Sequence, residues 1–373
     1  MKPYDLAIVG LGAMGSMAAW QATRRGLRVI GFDRFRPPHT HGSSTGHSRI
    51  IREAYFEQRY YVPLVQEAYT LWEELERESG STIYLRTGGL MLGPPDGLVA
   101  TGAIASMDAF GLDAEVLTSA QIRHRFPAFE VGDDIVGLYE PRAGSLTPEA
   151  GIEAAIRLAE QGGAVLLYDT PVEGWGSGSS VEVRTAAGQY RADRLILSAG
   201  AWMASDLTGV DLPLTVNRQV LFWLEPSGGR ELFQPSRFPV FLWEWEPGRS
   251  FYGFPDQGRG VKVAIHHEGA AVDPDTIDRN VGSSEVDELL EILSSTVPSA
   301  RGPVIESAVC MYTNTPDEDF ILDRHPADDR VLVASPCSGH GFKFAPTIGE
   351  ILVDLATDGG SRFDLSPFRI GRS

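Results

Sequence analysis

The opening residues constrain this chain more than any other stretch. Leu6-Ala7-Ile8-Val9 is a short apolar run that suits a buried strand, and Gly10-Leu11-Gly12-Ala13-Met14-Gly15 follows at once. Residues 16–25 read as a helix packing through Met17, Ala18, Ala19 and Ala22, and residues 27–32 as a second strand ending at Asp33. In Gly10-x-Gly12-x-x-Gly15 the first glycine makes the tight turn and the second lets backbone approach a pyrophosphate. The third allows close packing of helix on strand, and the helix N-terminus offers unpaired N–H groups and a positive dipole to phosphates. Asp33 stands where a carboxylate accepts from ribose hydroxyls. Strand, turn, helix, strand and acid together predict a dinucleotide-binding unit. The acid disfavours a 2′-phosphate, and so NADP; NAD and FAD are not separated by the motif.

The 373 residues are enough for two to three domains. Lys+Arg is 32 against Asp+Glu 50, a formal net charge of −18. So acidic a surface repels phosphate backbones and anionic bilayers, which argues against nucleic-acid or membrane partners. A carboxylate substrate would need local cations inside a pocket. Cys310 and Cys337 are the only cysteines, which excludes a disulfide scaffold and a Cys-rich metal site and favours a reducing compartment. No run approaches the roughly 20 apolar residues of a membrane span. No secretory leader is read at the start, so a soluble, cytoplasmic protein is expected.

Further along, residues 34–58 are rich in Pro, Gly, Ser, His and Arg and read as a long functional loop. Helices are expected over 62–78, 99–111, 148–161, 284–296 and 345–356. In the first of these, Leu64, Ala68, Leu71, Trp72 and Leu75 recur at helical spacing. Thr147-Pro148-Glu149 reads as a helix start, with Thr147 as cap, Pro148 at the first position and Glu149 at the positive end. Strands are expected over 87–93, 195–202 and 331–334, and antiparallel strands over 220–224, 240–243, 250–254 and 261–265.

Several stretches resemble one family. They are Pro37-Pro38-His39, Arg49-Ile50-Ile51-Arg52, Tyr61-Val62-Pro63-Leu64, Arg218-Gln219-Val220 and Tyr252-Gly253-Phe254-Pro255. The C-terminal third adds Ala308-Val309-Cys310-Met311-Tyr312-Thr313, Pro316-Asp317-Glu318-Asp319-Phe320-Ile321-Leu322-Asp323 and Ser338-Gly339-His340-Gly341-Phe342-Lys343-Phe344. In this order, over nearly the whole chain, they resemble the monomeric sarcosine oxidase and N-methyltryptophan oxidase family. The resemblance implies an α/β (α+β) fold like that of p-hydroxybenzoate hydroxylase. A discontinuous Rossmann-like FAD-binding domain (1–83, 145–212 and 315–373) would be roofed by a mixed, largely antiparallel sheet domain for substrate (84–144 and 213–314).

The resemblance also implies roles. Cys310 matches the cysteine that bonds to the 8α-methyl carbon of the flavin. Arg52 and Lys343 match the pair that holds the substrate carboxylate, with Tyr252 beside them. Lys262 matches the lysine that activates oxygen over the flavin ring. Arg49, His266 and Tyr312 match residues lining flavin and substrate. Gly10, Gly12, Met14, Gly15, Asp33, Ser44, Arg49, Gly339, Gly341, Phe342 and Lys343 would contact FAD. The loop Ser44-Thr45-Gly46-His47-Ser48-Arg49 departs from the family's double histidine, then Gly-Asp-Thr-Arg: Thr45 replaces a histidine and His47 an acid. Flavin environment or pocket shape is expected to differ there. His39, His41 and His47 are read as solvated or near phosphate, and no metal is expected.

The implied activity is oxidation of a secondary amine on a small amino acid by a monomeric enzyme, with O2 as acceptor and hydrogen peroxide as product. Sarcosine, other N-methyl amino acids, cyclic imino acids such as proline or pipecolate, and fructosyl amino acids all suit it. An NAD-dependent dehydrogenase and a non-catalytic flavoprotein are the readings from other classes.

Overall fold

The computed structural model describes residues 4–372. The apolar run at the start becomes the strand Tyr4–Val9, central in an eight-stranded sheet. It pairs in parallel with Val29–Phe32 on one side and Gly188–Leu197 on the other. Val165–Leu167 extends the first flank, and Asp328–Ser335 joins Gly188–Leu197 in parallel register, Leu195 opposite Val331. Strands buried on both faces read as continuous apolar runs rather than alternations. Leu195, Ile196, Leu197, Val331, Leu332 and Val333 accordingly have no exposed surface.

The helices Ala13–Arg24, Val62–Ser79, Pro148–Gln161 and Ala345–Thr357 share one core with this sheet, through Met17, Ala18, Trp72, Ala155 and Ile348. The glycine turn explains how close they come. Gly10 has φ +89°, and a Cβ on Gly15 would sit 1.8 Å from the Gly10 carbonyl oxygen. Gly15→Ala is therefore expected to cost about 1–3 kcal/mol by overpacking. Thermal unfolding checks this, and an unchanged melting temperature would contradict it.

The second eight-stranded sheet runs Val304–Asn314, Thr215–Leu224, Val261–His266, Arg249–Phe254, Val240–Glu246, Gly89–Gly93, Val136–Glu140, Glu115–Thr118. Its pairs are antiparallel except Val240–Glu246 with Gly89–Gly93. Phe222, Phe233, Phe238, Phe241, Trp243 and Phe251 fill the core beneath it. A three-stranded ribbon of Arg49–Ile51, Gly144–Leu146 and Tyr84–Arg86 lies apart from both large sheets.

Some expectations need correction. The strand expected to reach residue 202 ends at Leu197, because Gly200 (φ +58°) turns the chain into the 3₁₀ segment Gly200–Ala204. The strand expected from residue 87 starts at Gly89, after Gly88 at φ +72°. Thr147 sits at the N-cap but its side chain makes no capping hydrogen bond. The helix Ser119–Arg125 was not foreseen; the reciprocal Thr118–Gln121 capping box starts it.

Candidate active site

A cavity of about 380 Å³ begins at the carboxyl ends of Tyr4–Val9 and Val29–Phe32 and continues to the face of the second sheet. Crevices beyond the carboxyl ends of parallel strands are where such sheets bind ligands. Gly10, Gly12, Met14, Asp33, Ser44, Arg49, Arg52, Tyr252, His266, Cys310, Tyr312, Gly339, Gly341, Phe342 and Lys343 all line it. Gly15 lies one turn behind, as the packing contact described above.

At the nucleotide end, Asp33 braces the turn. Its Oδ2 accepts from Leu11 N at 2.7 Å and its Oδ1 from Phe35 N at 2.9 Å. Burial pushes its carboxyl up, against the pull of these donors. Three features fit a dinucleotide. A Cβ on Gly12 would meet nothing within 4 Å among the described residues, which leaves the helix N-terminus open to a phosphate. Ser43 Oγ and Ser335 Oγ are buried on the cavity wall without a hydrogen-bond partner among the described residues. Each such group costs about 1–3 kcal/mol unless a ligand satisfies it.

Period-two alternation in Val304–Asn314 puts Cys310 and Tyr312 on one face, toward the cavity. Cys310 Sγ lies 3.6 Å from Arg49 Nη2 and 3.4 Å from the Ser43 carbonyl. Arg49 donates to the Ser43, Thr45 and Ser48 carbonyls at 2.7, 2.6 and 2.8 Å, so the loop wraps its guanidinium. Beyond Tyr312, His266 Nδ1 lies 3.2 Å from the Tyr312 hydroxyl. Burial, with His267 alongside, holds His266 well below the usual imidazole value, so it is neutral at pH 7.

Lys262 is set behind the wall that its neighbours form. Its ammonium donates to Gly46 O at 2.7 Å, Ser48 O at 2.9 Å and Ser48 Oγ at 3.0 Å, and faces the Phe254 ring at 4.7 Å. Burial and the Arg49 charge pull its pKa well below that of an ordinary lysine.

At the far end, Arg52 is buried and donates to both Glu57 oxygens at 2.8 and 2.7 Å and to Ala54 O at 2.8 Å. Tyr55 and Phe56 stack on the guanidinium at 4.4 and 4.6 Å. Lys343 donates to His340 O at 2.7 Å and to the Tyr55 hydroxyl at 3.3 Å. Burial and the Arg52 charge lower its pKa to about 7, Glu57 opposing them. The structure thus brings Arg52 and Lys343 to one cavity, with Glu57 already on the arginine. Glu140 anchors this segment from the second sheet, accepting from Glu53 N at 2.8 Å and Ala54 N at 2.9 Å. Burial raises its carboxyl to about 7 despite these donors.

Glu57, Glu140 and Tyr55 were not singled out by sequence reasoning. Glu57 lies in the functional loop and could have been paired with Arg52 by nearness; nothing in sequence links Glu140 to residue 53. The departures in the loop resolve differently from each other. Thr45 is buried and contributes its carbonyl to Arg49, whereas the His47 ring turns toward Glu149 and Glu306, at 3.7 Å from each. The histidine cluster divides: His39 and His41 pack on Phe35, apart from His47. Among the described residues no group of three or more His, Cys, Asp and Glu side chains could hold a metal ion. Among them, too, no helix is long and apolar enough to cross a membrane.

Comparison with known proteins is consistent with this geometry. The FAD dependent oxidoreductase family matches residues 5–355. A monomeric sarcosine oxidase of Streptomyces avermitilis is 42% identical over 99% of this chain and 97% of its own. An N-methyl-L-tryptophan oxidase of Citrobacter koseri is 37% identical over 99% of both. Among solved structures, NikD, described as an unusual amino acid oxidase essential for nikkomycin biosynthesis, superposes with TM-score 0.85. It is 25% identical, with 99% of this chain and 98% of that one covered.

Proposed function

Because the chain belongs to the FAD dependent oxidoreductase family, we propose that it oxidises a secondary amine on a small amino acid, sarcosine or another N-substituted amino acid, with O2 as acceptor. One observation carries this reading. A single cavity is lined by the dinucleotide turn, by Cys310 and Tyr312, and by the buried Arg52 and Lys343. Those are the groups that a nucleotide, a flavin ring and a substrate carboxylate would each need.

Residues 1–83, 145–212 and 315–373 would form the FAD-binding unit and 84–144 and 213–314 the substrate unit. The membership of the two large sheets supports that division. Gly10 and Gly12 would hold the pyrophosphate with Gly15 packing the helix behind them, Asp33 a ribose, and Gly339, Gly341 and Phe342 the flavin end, with Cys310 as covalent tether. Bound there, FAD supplies the two-electron acceptor for the carbon beside nitrogen and passes the electrons to oxygen as hydrogen peroxide. Arg52 and Lys343 bind and orient the substrate carboxylate, a planar fork beside a point charge. Neutral His266, next to the Tyr312 hydroxyl, can take a proton at the amine. Lys262, behind the wall, places a positive charge where oxygen gains negative charge. The free thiol of Cys337 suits a cytoplasmic setting, and the name of the Streptomyces relative supports a monomer.

Peroxide release measured over sarcosine, N-methyltryptophan, proline, pipecolate and fructosyl glycine tests the activity. One active compound names the substrate group; a colourless protein active only with NAD would overturn it. Lys343 adds a pH signature. It carries its charge below about 7 and loses it above. KM for a carboxylate substrate is therefore expected to rise above pH 7, by up to about tenfold per pH unit. Lys343→Arg should flatten the rise, and a KM independent of pH in the parent would contradict the assignment.

A further inference from the structure

We propose that Glu149 is a positioning residue for Lys262: its carboxylate fixes the turn at residues 46–48, whose carbonyl oxygens hold the lysine ammonium. This rests on reading Lys262 as the oxygen-activating cation. The turn is an unusual one. Ser48 N donates to Gly46 O at 2.8 Å across a single residue, His47, which has φ +64°. A three-residue turn with positive φ at its centre is rare and strained. Strain of this kind persists only where surrounding contacts hold it.

Glu149 supplies those contacts. Gly46 N and His47 N both donate to its Oε1, at 3.0 and 3.1 Å. The Gly46–His47 peptide serves both sides, its N–H on Glu149 and its carbonyl, Gly46 O, accepting from Lys262 Nζ at 2.7 Å; Ser48 O, at the end of the turn, accepts from Nζ at 2.9 Å. The carboxylate stands on the helix Pro148–Gln161 and the lysine on the strand Val261–His266, so the turn transmits position from one layer to the other. The turn has little room to move otherwise, since a Cβ on Gly46 would strike Leu221 Cδ1 at 2.4 Å. Glu149 Oε2 is buried without a hydrogen-bond partner among the described residues. It is Oε1, taking two backbone N–H groups, that does the holding. His47, which stands where the resembling sequences carry an acid, points its ring at Glu149 and Glu306 and so adds no like charge to the clasp. Glu149 is thus not a simple helix-start acid: its carboxylate serves the loop.

The test separates the two half-reactions in the FAD-loaded enzyme by stopped-flow. Glu149→Gln keeps the shape and one acceptor oxygen but loses the charge, and charge-assisted hydrogen bonds are about twice as strong as neutral ones. The rate constant for reoxidation by O2 is expected to fall about tenfold, with anaerobic reduction by substrate within about twofold of the parent. If Glu149→Gln does not fold, Glu149→Asp, which keeps charge but not reach, is expected to show the same split. Unchanged reoxidation, or an equal loss in both half-reactions, would overturn the proposal. Lys262→Met measured alongside distinguishes the failures. If Lys262→Met is slow in reoxidation and Glu149→Gln is not, only the positioning role falls; if Lys262→Met reoxidises normally, the reading of Lys262 falls and takes this one with it.

Discussion

Cys310→Ala will turn a yellow acid-precipitated pellet colourless. In the parent, denaturation should leave flavin with the protein; in the variant all of the colour should move to the supernatant. The expectation rests on three observations. Cys310 lines the cavity, it is 2% exposed, and its sulfur lies 3.6 Å from the Arg49 guanidinium. A thiolate is the nucleophile in such a linkage. An unreactive buried cysteine is the ordinary alternative, and such a residue has no need of a cation beside it. Cys337 is the internal control. Its thiol sits immediately before the Ser338-Gly339-His340-Gly341 turn, accepts from Thr313 N at 3.4 Å, and burial pushes its pKa up. Cys337→Ala should keep the pellet yellow. Colour in the supernatant of the parent would refute the covalent link while leaving FAD binding intact.

Lys262→Met should slow reoxidation of the reduced enzyme by about 10²–10³-fold, the usual loss on removing one preorganised electrostatic contact. Reduction by substrate should be little changed, because Arg52 and Lys343, the residues proposed to bind the carboxylate, line the cavity and Lys262 does not. The lysine is 2% exposed and caged by two carbonyls and a hydroxyl. Methionine keeps the length and apolar stem, so the packing against Trp223 and Phe254 should survive. The carbonyls of Gly46 and Ser48 would each lose one of two donors, and some loss of melting temperature is expected. Reoxidation at the parent rate would remove Lys262 from the oxygen step.

The nucleotide end was legible in sequence because its determinants are local. A strand, Gly10-x-Gly12-x-x-Gly15, a helix and Asp33 occur within one short stretch, and each has its own pattern. The helices 62–78, 148–161 and 345–356 were found nearly to their ends, since a periodic apolar face marks them. The resemblance, rather than any local pattern, carried Cys310, Lys262 and Lys343; alternation in Val304–Asn314 accounts only for Cys310 sharing a face with Tyr312. What was not legible depends on contacts between distant segments. Glu140 reaches residue 53 across sheets, and Glu149 reaches residue 46 across a loop. Glu149 read as a helix-start acid because that role is local; its partners in the fold are not. The strand expected to run to residue 202 failed for a smaller reason. Apolarity continued through Ala199, Ala201 and Trp202, and Gly200 at φ +58° ended the strand regardless.

The most direct test of the central claim is the visible spectrum of the purified protein mixed anaerobically with sarcosine, N-methyltryptophan, proline, pipecolate and fructosyl glycine in turn. At least one should bleach the flavin band, and admitting O2 should restore it with release of peroxide. A yellow protein that none of these amines reduces would contradict amine oxidation; so would a protein that binds no flavin at all.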